Sequence, residues 1–128
     1  MSYSNPHYVT YVKAGVDFAD AAFAWAIKAP NGYSKGRIID VGVAVTETFN
    51  QVTTPAYLRI GTASDADAYA QLNMAAAADT NFWNTQDDTD AIINADIDST
   101  QIEVAAIANT GGTPAGKGDV HITVAWFS

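Results

Sequence analysis

The side chains able to do acid–base or nucleophilic chemistry are few and scattered. The only histidines are His7 and His121, and the only glutamates are Glu47 and Glu103. There is no cysteine, which excludes thiolate nucleophiles, disulfide scaffolds and thiolate metal sites. No Gly-x-Ser-x-Gly elbow and no glycine-rich phosphate cradle occurs. His121 alternates with Thr123 on the polar side of the last strand, where a lone imidazole reads as a surface residue. A glycosidase pair needs two carboxylates about 5–9.5 Å apart across a cleft, and nothing in the sequence brings two together. Asp65-Ala-Asp67 and Asp87-Asp88-Thr-Asp90 cluster hard oxygens that suit calcium. Neither carries the glycine and bidentate glutamate of an EF-hand loop. Asp65 and Asp67 read as helix first-turn acids, and Asp87, Asp88 and Asp90 as a solvated acidic loop. The expectation is therefore a non-enzymatic protein with no cofactor, no metal and no small-molecule substrate.

The chain's bulk properties agree with a binding or structural role. It has 128 residues, a formal net charge of −8 and 48% apolar residues, which suits one globular domain with a real core. A surplus of acid argues against nucleic acid, whose binders need a basic face to release counterions. No run approaches the 18 apolar residues of a membrane span, and Met1 to Tyr8 lacks the basic start of a signal peptide. The charge is also uneven. No lysine or arginine lies between Arg59 and Lys117, and that interval holds every acid from Asp65 to Glu103. Such a distribution reads as a solvated acidic surface that keeps the protein soluble, or, alternatively, as an acidic outward face opposite a less charged face used for docking.

The elements that must position these residues are mostly strands. Residues 1–20 carry Tyr3, Tyr8, Tyr11 and Phe18 among polar residues and read as an N-terminal arm or edge strand; residues 21–128 read as one β-sandwich domain. Phe23, Trp25 and Ile27 alternate with small residues, with a competing helical reading through Phe18, Ala22 and Trp25. Arg37 to Thr48 is the clearest strand, with Ile39, Val41, Val43 and Val45 expected on one face. Ala56 to Gly61 places Leu58 and Ile60 inward, Tyr57 and Arg59 outward. Ser64 followed by Asp65 and Asp67 predicts one short helix over about 65–78, with Tyr69, Leu72 and Ala76 on its buried face. Phe82 and Trp83 are adjacent, so in a strand one of them must find cover outside the core. Residues 102–108 are apolar on nearly both faces, as a central or interface-facing strand would be. Asn109 to Gly118 predicts a loop, and Val120 to Phe127 a closing hairpin strand. The fold class is all-β, an antiparallel sandwich.

Three stretches carry a resemblance. They are Gly36-Arg-Ile-Ile-Asp-Val-Gly-Val-Ala-Val-Thr-Glu-Thr-Phe-Asn50, then Thr54-Pro-Ala-Tyr-Leu-Arg-Ile-Gly-Thr-Ala-Ser-Asp-Ala-Asp-Ala-Tyr69, then Thr110 to Phe127. A strand ending Thr-Glu-x-Phe-Asn, a Leu-x-Ile-Gly strand, a Ser-Asp-x-Asp-Ala turn and a Gly/Thr-rich hairpin closing on aromatics resemble small virion proteins of tailed bacteriophages. The likeness covers roughly residues 36–128 and points to capsid decoration (cement) proteins. It implies a jelly-roll-like sandwich, a homo-trimer on the outer capsid surface, and the major capsid protein as partner. No nucleic acid or membrane partner is implied. Tyr3, Tyr8, Tyr11, Phe18, Phe82 and Trp83 are the candidate interface residues, since interfaces favour aromatic contact area. A tail-fibre or receptor/carbohydrate-binding β-sandwich module is the alternative.

Overall fold

The computed structural model describes residues 7–19, 23–75, 77, 81–84, 87, 92–93, 96–98 and 101–127. Tyr3, Asp88, Asp90 and part of the expected helix (Ala76 and Ala78) lie outside the described residues.

Strands rich in β-branched residues build two sheets. In the first, β1 (His7–Asp17) pairs with β10 (Ala115–Phe127), which pairs in turn with β3 (Lys35–Asn50). The far edge of β3 takes two short strands at different heights, β6 (Phe82–Asn84) and β8 (Asp96–Ile97). The second sheet runs β2 (Phe23–Lys28), β9 (Gln101–Ile107), β4 (Tyr57–Gly61), β5 (Ala70–Asn73), β7 (Ile92–Ile93). Every pairing is antiparallel. The partners are nested, β1 with β10, β2 with β9 and β3 with β8, as though one long hairpin had been rolled up. That is the jelly-roll arrangement of two packed sheets.

Period-two alternation puts one apolar row of each strand between the sheets. Leu58 and Ile60, Ile102 and Val104, and Val120, Ile122, Val124 and Trp126 are all buried in a single cluster. Trp126 closes one end of it, donating Nε1–H to the Tyr11 hydroxyl at 2.9 Å. The Phe18 and Phe49 rings meet at 5.1 Å and fill the other end. Buried Asn109 ties two connections together there, its Nδ2 donating to the carbonyls of Asn50 and Ala115.

The structure departs from the sequence reading at three places. No helix forms among the described residues of the expected 65–78 segment. Residues 70–73 form β5 instead, pairing Leu58 with Leu72 and Ile60 with Ala70. The segment satisfies both periods, because Ala70, Leu72 and Met74 alternate as well as Tyr69 and Leu72 step by three. The strand prevails because it supplies the hydrogen-bond partner that β4 needs along its open edge. The Ser64 cap is replaced by a turn, in which Thr62 Oγ1 accepts the Asp65 N–H at 3.1 Å and the Asp65 carbonyl accepts the Thr62 N–H at 2.8 Å.

Ile39 is the second departure. Expected inward with Val41, it is 46% exposed, while Ile38 is buried. Thr123 pairs with Asp40 and Val124 with Ile38, so Ile39 is the extra residue of a β-bulge. One inserted residue reverses the facing of everything before it. Third, the closing strand begins at Ala115 inside the predicted loop. Gly116 and Gly118 permit this, since a Cβ at either would strike the Phe49 ring or Val43 Cγ1.

Residues 7–17, read as arm or edge strand, form the edge strand β1. Its pairing with β10 shifts at Ala14–Gly15, where Gly15 has φ +68° and donates its N–H to Asp119 Oδ1 at 2.8 Å. A Cβ at Gly15 meets nothing within 4 Å, so only backbone conformation opposes a side chain there. Gly15→Ala is expected to cost about 1 kcal/mol, read as a lower urea midpoint at unchanged slope. An unchanged midpoint would show that this backbone relaxes freely.

Candidate docking face

The outward side of the first sheet collects apolar residues that its strands cannot bury. Along β1, Tyr8, Thr10 and Val12 face outward, with Tyr8 61% and Val12 50% exposed. Across the sheet, Val12 pairs with His121 and His121 with Gly42. Phe82, on β6, is 46% exposed and lies over Gly42, where an added Cβ would come within 2.5 Å of its ring. Its ring meets His121 edge-on at 5.5 Å. Thr10 and Thr123 join hydroxyls at 2.9 Å between the two ends of this ridge. The bulged Ile39 adds a further exposed apolar side chain from β3. The result is a mostly uncharged ridge across four strands, with Asp40 beside Thr123 as a charged neighbour.

The six candidate aromatics separate clearly. Tyr8 and Phe82 lie on this face. Trp83 turns inward beside Phe82, as two neighbours on a strand must, and its Nε1–H reaches the Asn73 carbonyl at 3.0 Å. That bond ties β6 of one sheet to β5 of the other, so Trp83 is a latch. Tyr11 is half-buried against the core as the acceptor for Trp126. Phe18 has no exposed surface, so its candidacy as a contact residue is corrected: it is a core ring held by Phe49. Tyr3 is outside the described residues. Sequence reasoning missed Val12, although its alternation with Tyr8 and Thr10 marks the face. It also missed Ile39, whose bulge leaves no sequence signal.

The candidate chemistry does not assemble. His7 stacks on Tyr33 at 5.7 Å, and His121 meets Phe82 edge-on. Glu47 bonds the Gly116 N–H at 3.2 Å and approaches Lys117 at 3.9 Å, on the first sheet. Glu103 stands on the second. Among the described residues no group of three or more histidines, aspartates or glutamates could hold a metal. A cleft of about 560 Å³ opens where β8 joins β3, between Lys35 and Arg37 on one side and Asp96 and Asp98 on the other, with Phe127 beside them. Within it Arg37 and Asp96 are register partners. The described acids of the long cation-free interval gather mainly on connections, Asp65 before β5, Asp87 after β6 and Asp98 after β8, all exposed.

No protein-family model matches the chain, and no curated protein matches it. The fold and the face therefore define its class: a two-sheet β-sandwich of jelly-roll order with an unpartnered apolar ridge.

Proposed function

We propose that this chain is a bacteriophage capsid decoration (cement) protein. It docks on the outer surface of the shell, against the major capsid protein, as a homo-trimer and without a catalytic step. The ridge formed by Tyr8, Val12, His121 and Phe82 carries the proposal. It is mostly apolar, with Tyr8, Val12 and Phe82 exposed around a half-buried His121, and it crosses four strands of a sheet whose register shifts at bulges. Interfaces draw on such anchored aromatics, and the net charge of −8 keeps the protein from competing for packaged nucleic acid. A protein of this kind stabilises its particle by mass action, because it binds the assembled lattice and not the free subunits.

The test is location and consequence together. Gold-labelled antibody should mark the outside of intact particles, and particles lacking the protein should lose heat and osmotic resistance. Purified protein should have the light-scattering mass of three chains. Unlabelled particles, or particles equally robust without the protein, would end the proposal; a monomer on the particle would end only its trimeric part.

A further inference from the structure

The second sheet turns a chemically different surface outward. Tyr57 and Arg59 project from β4, Gln71 from β5, and Glu103 and Ala105 from β9, each opposite the buried row. Arg59 is tightly positioned. Its Nε–H donates to Gln71 Oε1 at 2.8 Å, and its guanidinium carbon lies 5.5 Å from the centre of the Tyr57 ring. It makes no ion pair with any described residue. With Nε occupied, the two terminal amino groups remain, and together they match the two oxygens of a carboxylate end-on. Their orientation is fixed before a ligand arrives, which removes part of the cost of binding. Arg59 pairs across the sheet with Ala105, and Ala105 with Ala24, so the row beside the guanidinium holds only methyl groups.

We propose that Arg59, held by Gln71 and Tyr57, binds the carboxylate of an acidic sugar, a uronate or sialate unit of a glycan. Glu103 selects sugar over acidic peptide. It stands one row away, opposite Gly61 and Ala26, and one of its oxygens takes the Gln101 amide at 2.6 Å. An acidic peptide carries its donors on the backbone, away from the side-chain carboxylate that Arg59 would hold, so that carboxylate would approach Glu103 with none beside it. A sugar acid brings a carboxylate for Arg59 and hydroxyls that donate to Glu103. The row Gln71–Arg59–Ala105–Ala24 crosses three strand spacings, roughly 14 Å, which accommodates a short run of sugar units. This surface is on the opposite sheet from the docking ridge, so both can be occupied at once.

The experiment uses the isolated protein, independent of any particle. Tetragalacturonate and sialyllactose are titrated against ¹⁵N-labelled chain, following the Arg59 Nε–H signal, with maltotetraose and lactose as neutral controls and oligoglutamate of matched charge as the peptide control. At least one acidic sugar should shift that signal saturably, and neither neutral sugar should. Arg59→Lys should weaken binding by about tenfold or more, since a lysine offers no fork, and Gln71→Ala should weaken it less while leaving the thermal melt unchanged. No saturable shift up to roughly 20 mM ligand, weaker than any useful site, would overturn the assignment. So would equal binding of oligoglutamate, or indifference to Arg59→Lys in a variant that melts normally. None of these outcomes bears on whether the first sheet docks on a shell.

Discussion

On the proposed docking, replacing Tyr8 and Phe82 together by serine is expected to weaken binding to the particle by on the order of a hundredfold, while the purified variant melts close to the parent. The two effects separate because both side chains already face water. Exposed substitutions away from special backbone usually move stability by less than about 0.5 kcal/mol. Phe82 gives up somewhat more, since its ring covers Gly42 and meets His121. Against a partner, the same two rings supply the large rigid contact area that dominates interface energetics, where single anchors exceed about 2 kcal/mol. Sedimentation of labelled protein with stripped particles reads the affinity, and a thermal melt reads the fold. Undiminished binding would move the docking site off the first sheet, and a collapsed melt would show that the ridge is part of the fold's own support.

Trp126→Ala is expected to have the largest effect on stability, about 3–5 kcal/mol, a sizeable share of the ~5–15 kcal/mol typical of whole proteins. The ring is fully buried and lies so close to Gly36 that a Cβ there would come within 2.7 Å of it. Removing it opens a large void and leaves the Tyr11 hydroxyl without its donor. Trp126→Phe keeps most of the volume and loses the N–H with the smaller part of the indole, so it should cost less than half as much. Urea denaturation of both variants separates the two contributions. Equal losses would mean that the hydrogen bond, not the volume, is the main support.

Where one period alone fits a segment, the sequence announced the strand directly. Leu58 and Ile60 inward with Tyr57 and Arg59 outward, the apolar run of β9, and the alternation from Val120 to Trp126 all appear as expected. Residues 70–73 were illegible because Ala70 and Leu72, with Tyr69 and Met74 beside them, satisfy two periods, and the deciding term, the open edge of β4, lies in another part of the chain. The bulge at Ile39 was illegible for a related reason, since it exists only relative to β10. The candidate face was half legible. Adjacency alone required Phe82 and Trp83 to part, but which of them faced the core depended on Asn73 offering a carbonyl from the other sheet. Arg59 passed as an ordinary outward residue, because Gln71 and Tyr57 gain meaning only once their strands are side by side.

The pairing of β1 with β10 also sets how the molecule yields to force. His7 pairs with Trp126, and Phe127 pairs with Lys35, so the first and last described residues sit at the same pole of the first sheet. A tug separating His7 from Phe127 loads the ladder one rung at a time and peels β1 away like a zip. A load spread over the outward side of that sheet reaches β1, β10, β3 and β6 simultaneously and must shear all their rungs together. The same architecture is thus compliant at a pole and stiff across a face, and a grip made through the face withstands strain that a tether at the pole would not.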